Sequence, residues 1–205
     1  MKLRLTPKEK KQILRNKIIR QALDDLYVSL NLVGEFNIQE NADTGKTKIC
    51  CKINLTGSKI NDTIVVEGSG VGPVDVLFSS LSGQLSEQYS SLNTMSFSEF
   101  GVSADLARKY ALNYSGSAAQ VEALLVVTNA RGDDLIFRHR SSSINRAAFL
   151  AVLNAIEHFI NSEKAVGVLR LALADAKKRN RGDMVDFFTR QLIELVEVTN
   201  YKKLK

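Results

Sequence analysis

Two short stretches concentrate the residue types that can hold a ligand. In Glu67-Gly-Ser-Gly-Val-Gly-Pro-Val-Asp75, three glycines alternate and a proline follows, between a β-branched run and an amphipathic one. In Ser141-Ser-Ser143, three hydroxyls precede a second amphipathic run. A glycine corner that opens a helix bares main-chain N–H groups at the positive end of the helix dipole, where anions are favoured. The type of anion follows from the neighbours. A phosphate loop needs a lysine after its last glycine, where Pro73 stands, and the dinucleotide fingerprint needs G-x-G-x-x-G, whereas Gly68, Gly70 and Gly72 alternate. A double-stranded-RNA module meets phosphates with lysines at such a helix, whereas this one offers Asp75 and serines. One or two glycines suffice for a sharp turn; three point to bare backbone with room for the carboxylate of a small ligand.

Other chemistry-bearing residues form no set. Cys50 and Cys51 are neighbours in an alternating run, so they face opposite ways and cannot staple the fold, and neither histidine stands at ligand spacing from them. They read as ordinary strand residues of a reducing compartment. His139, between Arg138 and Arg140, reads as a solvated strand residue, and His158 as a helix-end cation or rim residue. Asp75 suits the first turn of its helix without catalysis. No Ser/His/Asp or Cys/His constellation assembles. No metal or cofactor is expected.

The elements that position these stretches follow from periodicity. Thr6-Pro7-Lys8-Glu9 is a capping box with proline at the first helical position, and Leu14, Ile18, Ala22, Leu26 and Leu30 recur every four residues with Ile19, Leu23 and Tyr27 beside them, which predicts a helix to about Leu30. Asn41 to Gly45 is a turn, Lys48 to Leu55 alternates as a half-buried strand, Ile64 to Val66 resumes as a strand, and the corner launches a helix from Pro73 to about Leu85. Leu92 to Phe100 is a weak strand, Val121 to Thr128 a strong one, Asn129 to Asp133 a turn and Leu135 to Arg140 a third strand. The serines then cap a helix from Ile144 to Ile160, with Ala148, Ala151, Ala155 and Phe159 on one face. From Ser162, two apolar stripes around Asn180-Arg-Gly-Asp183 predict a helical hairpin.

Composition bounds the rest. The 205 residues are 44% hydrophobic, enough for one good core or two small ones that share an interface. No apolar run spans a bilayer, and the first residues lack a secretory pattern, so the expected compartment is the cytoplasm or an organellar matrix or stroma, with no membrane partner. The net charge of +6 gathers at the ends: Lys2, Arg4, Lys8, Lys10, Lys11, Arg15, Lys17 and Arg20, then Lys177, Lys178, Arg179, Arg181, Lys202, Lys203 and Lys205. Basic ends can meet nucleic acid, although as a rule they are solvated helix faces, and no aromatics interleave here as a base-stacking platform requires.

Gly68-Ser-Gly-Val-Gly-Pro-Val-Asp-Val-Leu-Phe78 resembles the G-x-G-x-G-P-V-D-A signature of the C-terminal regulatory domain of 2-isopropylmalate and citramalate synthases. Ser141-Ser-Ser-Ile144 stands where that family has Ser-Thr-Asp-Ile, and Val152-Leu-Asn-Ala-Ile156 is similar to its Tyr-Leu-Asn-Ala-Leu. The resemblance implies an α+β fold of two tandem βββα units over residues 34–161; the periodicity adds a basic amphipathic helix (1–33) before them and a helical hairpin (162–205) after them. The resemblance further implies an effector pocket for leucine, isoleucine or a similar branched compound near a dimer interface. The residues it points to are Gly70, Val71, Gly72, Pro73 and Val74 from one corner and Ser141, Ser142 and Ser143 from the other. The synthases carry their chemistry on a separate barrel of about 250 residues, longer than this chain, with a metal-binding H-x-H pair that it lacks. The expectation is a non-catalytic homodimer or subunit of a larger complex. The alternative is a structural subunit, in a nucleoprotein assembly among other settings, anchored by its basic helices.

Overall fold

The computed structural model describes residues 6–58, 60–104 and 120–196. The first helix, α1 (Pro7–Leu23), opens on the expected capping box: the Thr6 hydroxyl accepts from the Glu9 N–H, and the Glu9 carboxylate accepts from the Thr6 N–H at 2.8 Å. It ends well short of Leu30. Asp24 takes φ +45°, one 3-10 turn follows at Asp24–Leu26, and the chain is already extended at Ser29. Its buried face carries Ile18, Ile19 and Leu23 of the expected stripe together with Arg15, while Leu14 and Leu26 stay exposed.

Strand β1 (Ser29–Glu40), which periodicity did not announce, pairs antiparallel with β2 (Lys46–Gly57), and β2 pairs with β3 (Ile60–Val71). Helix α2 (Pro73–Leu85) follows as expected. Residues 90–94 form a 3-10 turn, so the strand expected from Leu92 begins only at Ser96. A second antiparallel sheet runs in the order β4 (Ser96–Ala104), β5 (Val121–Thr128), β6 (Asp134–Ser141). The architecture is α+β: two three-stranded antiparallel sheets with helices at both ends of the chain.

Helix α3 (Ile144–Lys178) does not stop at Ile160 but runs unbroken for 35 residues, about 52 Å, before α4 (Gly182–Val196) folds back. The boundary expected after residue 33 therefore falls inside β1, and the one after residue 161 falls inside α3. The first half of α3 lies in the main core, where Phe149, Leu153, Ile156 and Phe159 belong to one buried cluster with Ile53 and Val66 of one sheet and Leu125 and Leu135 of the other. Its second half joins Ile18, Ile19 and Leu23 of α1 and Leu195 of α4 in a smaller core through Ala165, Val166 and Leu169.

Polar side chains of α3 hold main chain from three directions. Asn161, fully buried, accepts from Val28 N–H (2.8 Å) and donates to the Val28 carbonyl (2.7 Å) and to that of Glu157. Glu157 accepts from Leu30 N–H (2.9 Å), and Glu163 from Ser90 and Ser91 N–H. Buried polar groups of this kind cost free energy unless paired, and these are paired. Gln12 of α1 clasps the edge of β6: its Nε2 donates to the Ile136 carbonyl (2.9 Å) and its Oε1 accepts from Ile136 N–H (3.0 Å). Among the described residues, no helix is long and apolar enough to cross a membrane.

Candidate functional site

The glycine corner divides into two parts with different physical reasons. Gly68 and Gly70 lie inside β3, on the face toward α2. A Cβ on Gly68 would run into Ser80 and Val76, and one on Gly70 would come within 3.0 Å of Val76 Cγ2. Alternate spacing puts both on one strand face, so the pattern that suggested bare backbone for a ligand is used here to bring helix and sheet close together. Gly72 differs. It is the residue before α2, with φ +81° and open space where a Cβ would be, a conformation that side chains rarely adopt.

What remains is a small exposed mouth. No side chain caps α2, and the N–H groups of Val74 and Asp75 have no acceptor among the described residues. Pro73 contributes no donor, while Val74 is buried and roots the helix in the core. Val71, the last residue of β3, is 78% exposed, a large apolar side chain held out beside those donors.

The serine corner occupies the corresponding place after β6. The Ser143 hydroxyl accepts from Arg146 N–H as the N-cap of α3, and the Ser141 hydroxyl accepts from Ser143 N–H, so both are committed to shaping the turn. Ser142 is exposed and forms no such bond, and Ile144 beside it is 54% exposed. Helices α2 and α3 touch each other, but no hydrogen bond joins the two corners among the described residues.

The histidines depart from expectation. His158 is neither a rim residue nor a helix-end cation. It sits in mid-α3, buried, its ring against those of Phe137 and Phe159, with Nδ1 donating to Asn16 Oδ1 at 2.9 Å. Burial, with the nearby Arg15 charge as a lesser cause, pushes its pKa down to about 4, so it is neutral at pH 7; its Nε2 has no partner among the described residues. His139 is half-buried and shifted down by burial and by Arg146. Cys51 lies in the core, its thiol pushed up to about 11 by burial, while Cys50 on the opposite face has its sulfur 3.7 Å from Glu67. Among the described residues, no group of three or more His, Cys, Asp or Glu side chains is arranged to hold a metal ion.

His158 also marks a feature that sequence reasoning missed. A cleft of about 290 Å³ opens between α1, β6 and α3, lined chiefly by polar side chains: Asn16 and Arg20 on one wall, Arg138 on another, Asn154 and Glu157 on the third. Tyr27 closes one side, its hydroxyl donating to Glu157 at 2.7 Å and its ring stacked under Arg20 at 4.3 Å. Burial and the Glu157 charge both raise the pKa of this phenol, which stays protonated. The only signal in the sequence was a scatter of Asn, Gln and Arg over three distant segments, and nothing short of the fold brings these together.

The basic ends are partly spent within the molecule. Arg15 is buried and donates to the Glu194 carbonyl, Lys8 pairs with Asp134, Arg179 with Asp175 and Arg181 with Asp183. Lys2, Arg4, Lys202, Lys203 and Lys205 lie outside the described residues. No family model matches the chain, and no curated protein matches it.

Proposed function

We propose that the chain is a non-catalytic binding module, a stand-alone relative of the synthase regulatory domain that its first corner resembles, built from two tandem βββα units. Its two corners would recognise a small branched-chain amino acid or a similar effector, and its oligomeric or partner contacts would respond to that binding. The observation that carries this reading is the matched construction of the corners. Each follows the third strand of its sheet, each launches a helix, and each holds one aliphatic side chain, Val71 or Ile144, out in solvent. At the first corner, the unpartnered N–H groups of α2 suit a carboxylate and Val71 suits a branched hydrocarbon tail. A binding role also fits the employment of Glu157 and Glu163, whose oxygens hold main-chain N–H groups instead of standing free for proton transfer.

Calorimetry and thermal unfolding with leucine, isoleucine and their 2-keto acids test this reading. A ligand at about a hundred times its Kd stabilises the folded state by about 2.7 kcal/mol, a shift of a few degrees. Val71→Asp should abolish the effect and leave the unliganded fold intact, because the side chain is exposed. No heat and no shift at about 10 mM, or an undiminished response in Val71→Asp, would remove the effector role.

A further inference from the structure

The cleft between α1, β6 and α3 is separate from both corners, and its unspent hydrogen-bonding capacity is strongly one-sided. Gln12 is used at both ends by Ile136, Asn161 makes three bonds to main chain, and each Glu157 oxygen already accepts one. Asn16 has given its oxygen to His158, which leaves its NH2 group as a donor. Asn154 is exposed, and its side chain makes no hydrogen bond among the described residues. The Arg20 guanidinium has no carboxylate partner among them either; it lies over the face of the Tyr27 ring, which orients the fork. Arg138 adds positive charge, partly met by Glu9 and Glu122.

From this we infer that the cleft is a binding site for a small organic carboxylate bearing a hydroxyl group, held by Arg20, Asn16 and Asn154. A planar guanidinium with its edge free is matched to a carboxylate, and the two amides add donors without adding charge. Glu157, facing the same space, sets the rest of the ligand. It disfavours a dianion such as phosphate, while its oxygens retain lone pairs able to accept from a neutral hydroxyl. The volume of about 290 Å³ is at the small end of ligand clefts and admits a compact metabolite but not a nucleotide.

The test is a titration of the ¹⁵N-labelled full chain, followed by NMR, with L-lactate, acetate and inorganic phosphate. Lactate should move the side-chain amide signals of Asn16 and Asn154 and the Nε signal of Arg20 in a saturable way, with acetate weaker. Arg20→Gln and Asn154→Asp, both at exposed positions, should each weaken lactate binding about tenfold or more, and Arg20→Lys should recover part of the loss. Val71→Asp should leave it unchanged, which separates this site from the corners. The assignment is overturned if neither acid gives saturable shifts at about 10 mM, if both substitutions leave the shifts as they were, or if phosphate binds more tightly than lactate.

Discussion

Single side chains set the terms on which this fold holds together, and His158 is the clearest case. Its folded pKa of about 4 lies below the ordinary histidine value near 6.5, so between those two pH values the unfolded chain binds a proton that the folded chain refuses. The contribution to stability is fully present above about pH 6.5 and is lost as pH falls towards 4, by roughly 3 kcal/mol. Urea unfolding at a series of pH values should show that loss, and in His158→Gln the slope over this window should flatten. An unchanged slope would mean that other groups govern the acid limb. None of this was legible in the sequence. A histidine late in an amphipathic run is ordinarily near a helix end, and only the continuation of α3 past Ile160 puts it in the middle, with α1 laid over it.

Elements were readable where a local signal was self-sufficient and hidden where two signals overlapped. The capping box at Thr6 and the proline start of α2 were plain, because a cap is fixed by neighbours within a few residues. Strand β1 was masked. Leu26 and Leu30 continued the spacing of the helix, and the irregular pairing between Val33 and Asn37, where Gly34 takes φ +65°, broke the alternation that Leu30, Leu32, Phe36 and Ile38 would otherwise have shown. The alternating glycines were legible as unusual, but their reason was not, since it lies in α2. Gly68→Ala should cost about 1–3 kcal/mol by thermal or denaturant unfolding, because its Cβ meets Val76 and Ser80. A neutral result would show that α2 can retreat from the sheet at no cost, and the spacing would then need another explanation.

At the scale of the molecule, the two sheets do not close separate cores. Residues of both, with α2 and the first half of α3, form one continuous cluster, and the unbroken α3 ties it to the smaller cluster under α1 and α4. Sequence periodicity gave the members of each stripe but not their partners, so the expected division after residue 161 had no means of revealing that one helix serves both clusters. The consequence is a single cooperative unit. Leu169→Ala, in the smaller cluster, should lower stability by about 2–5 kcal/mol and move the transitions seen by circular dichroism and by tyrosine fluorescence together. Two transitions that separate in this variant would instead show that the clusters melt independently.

The clasp of Gln12 on Ile136 bears on how the protein coexists with copies of itself. A carboxamide that answers both the N–H and the carbonyl of a border residue imitates the strand that would otherwise dock there, so α1 closes that side of the second sheet to accretion in mid-strand. Lateral growth, if crowding ever forces it, must start from another border or wait until the first helix has peeled away.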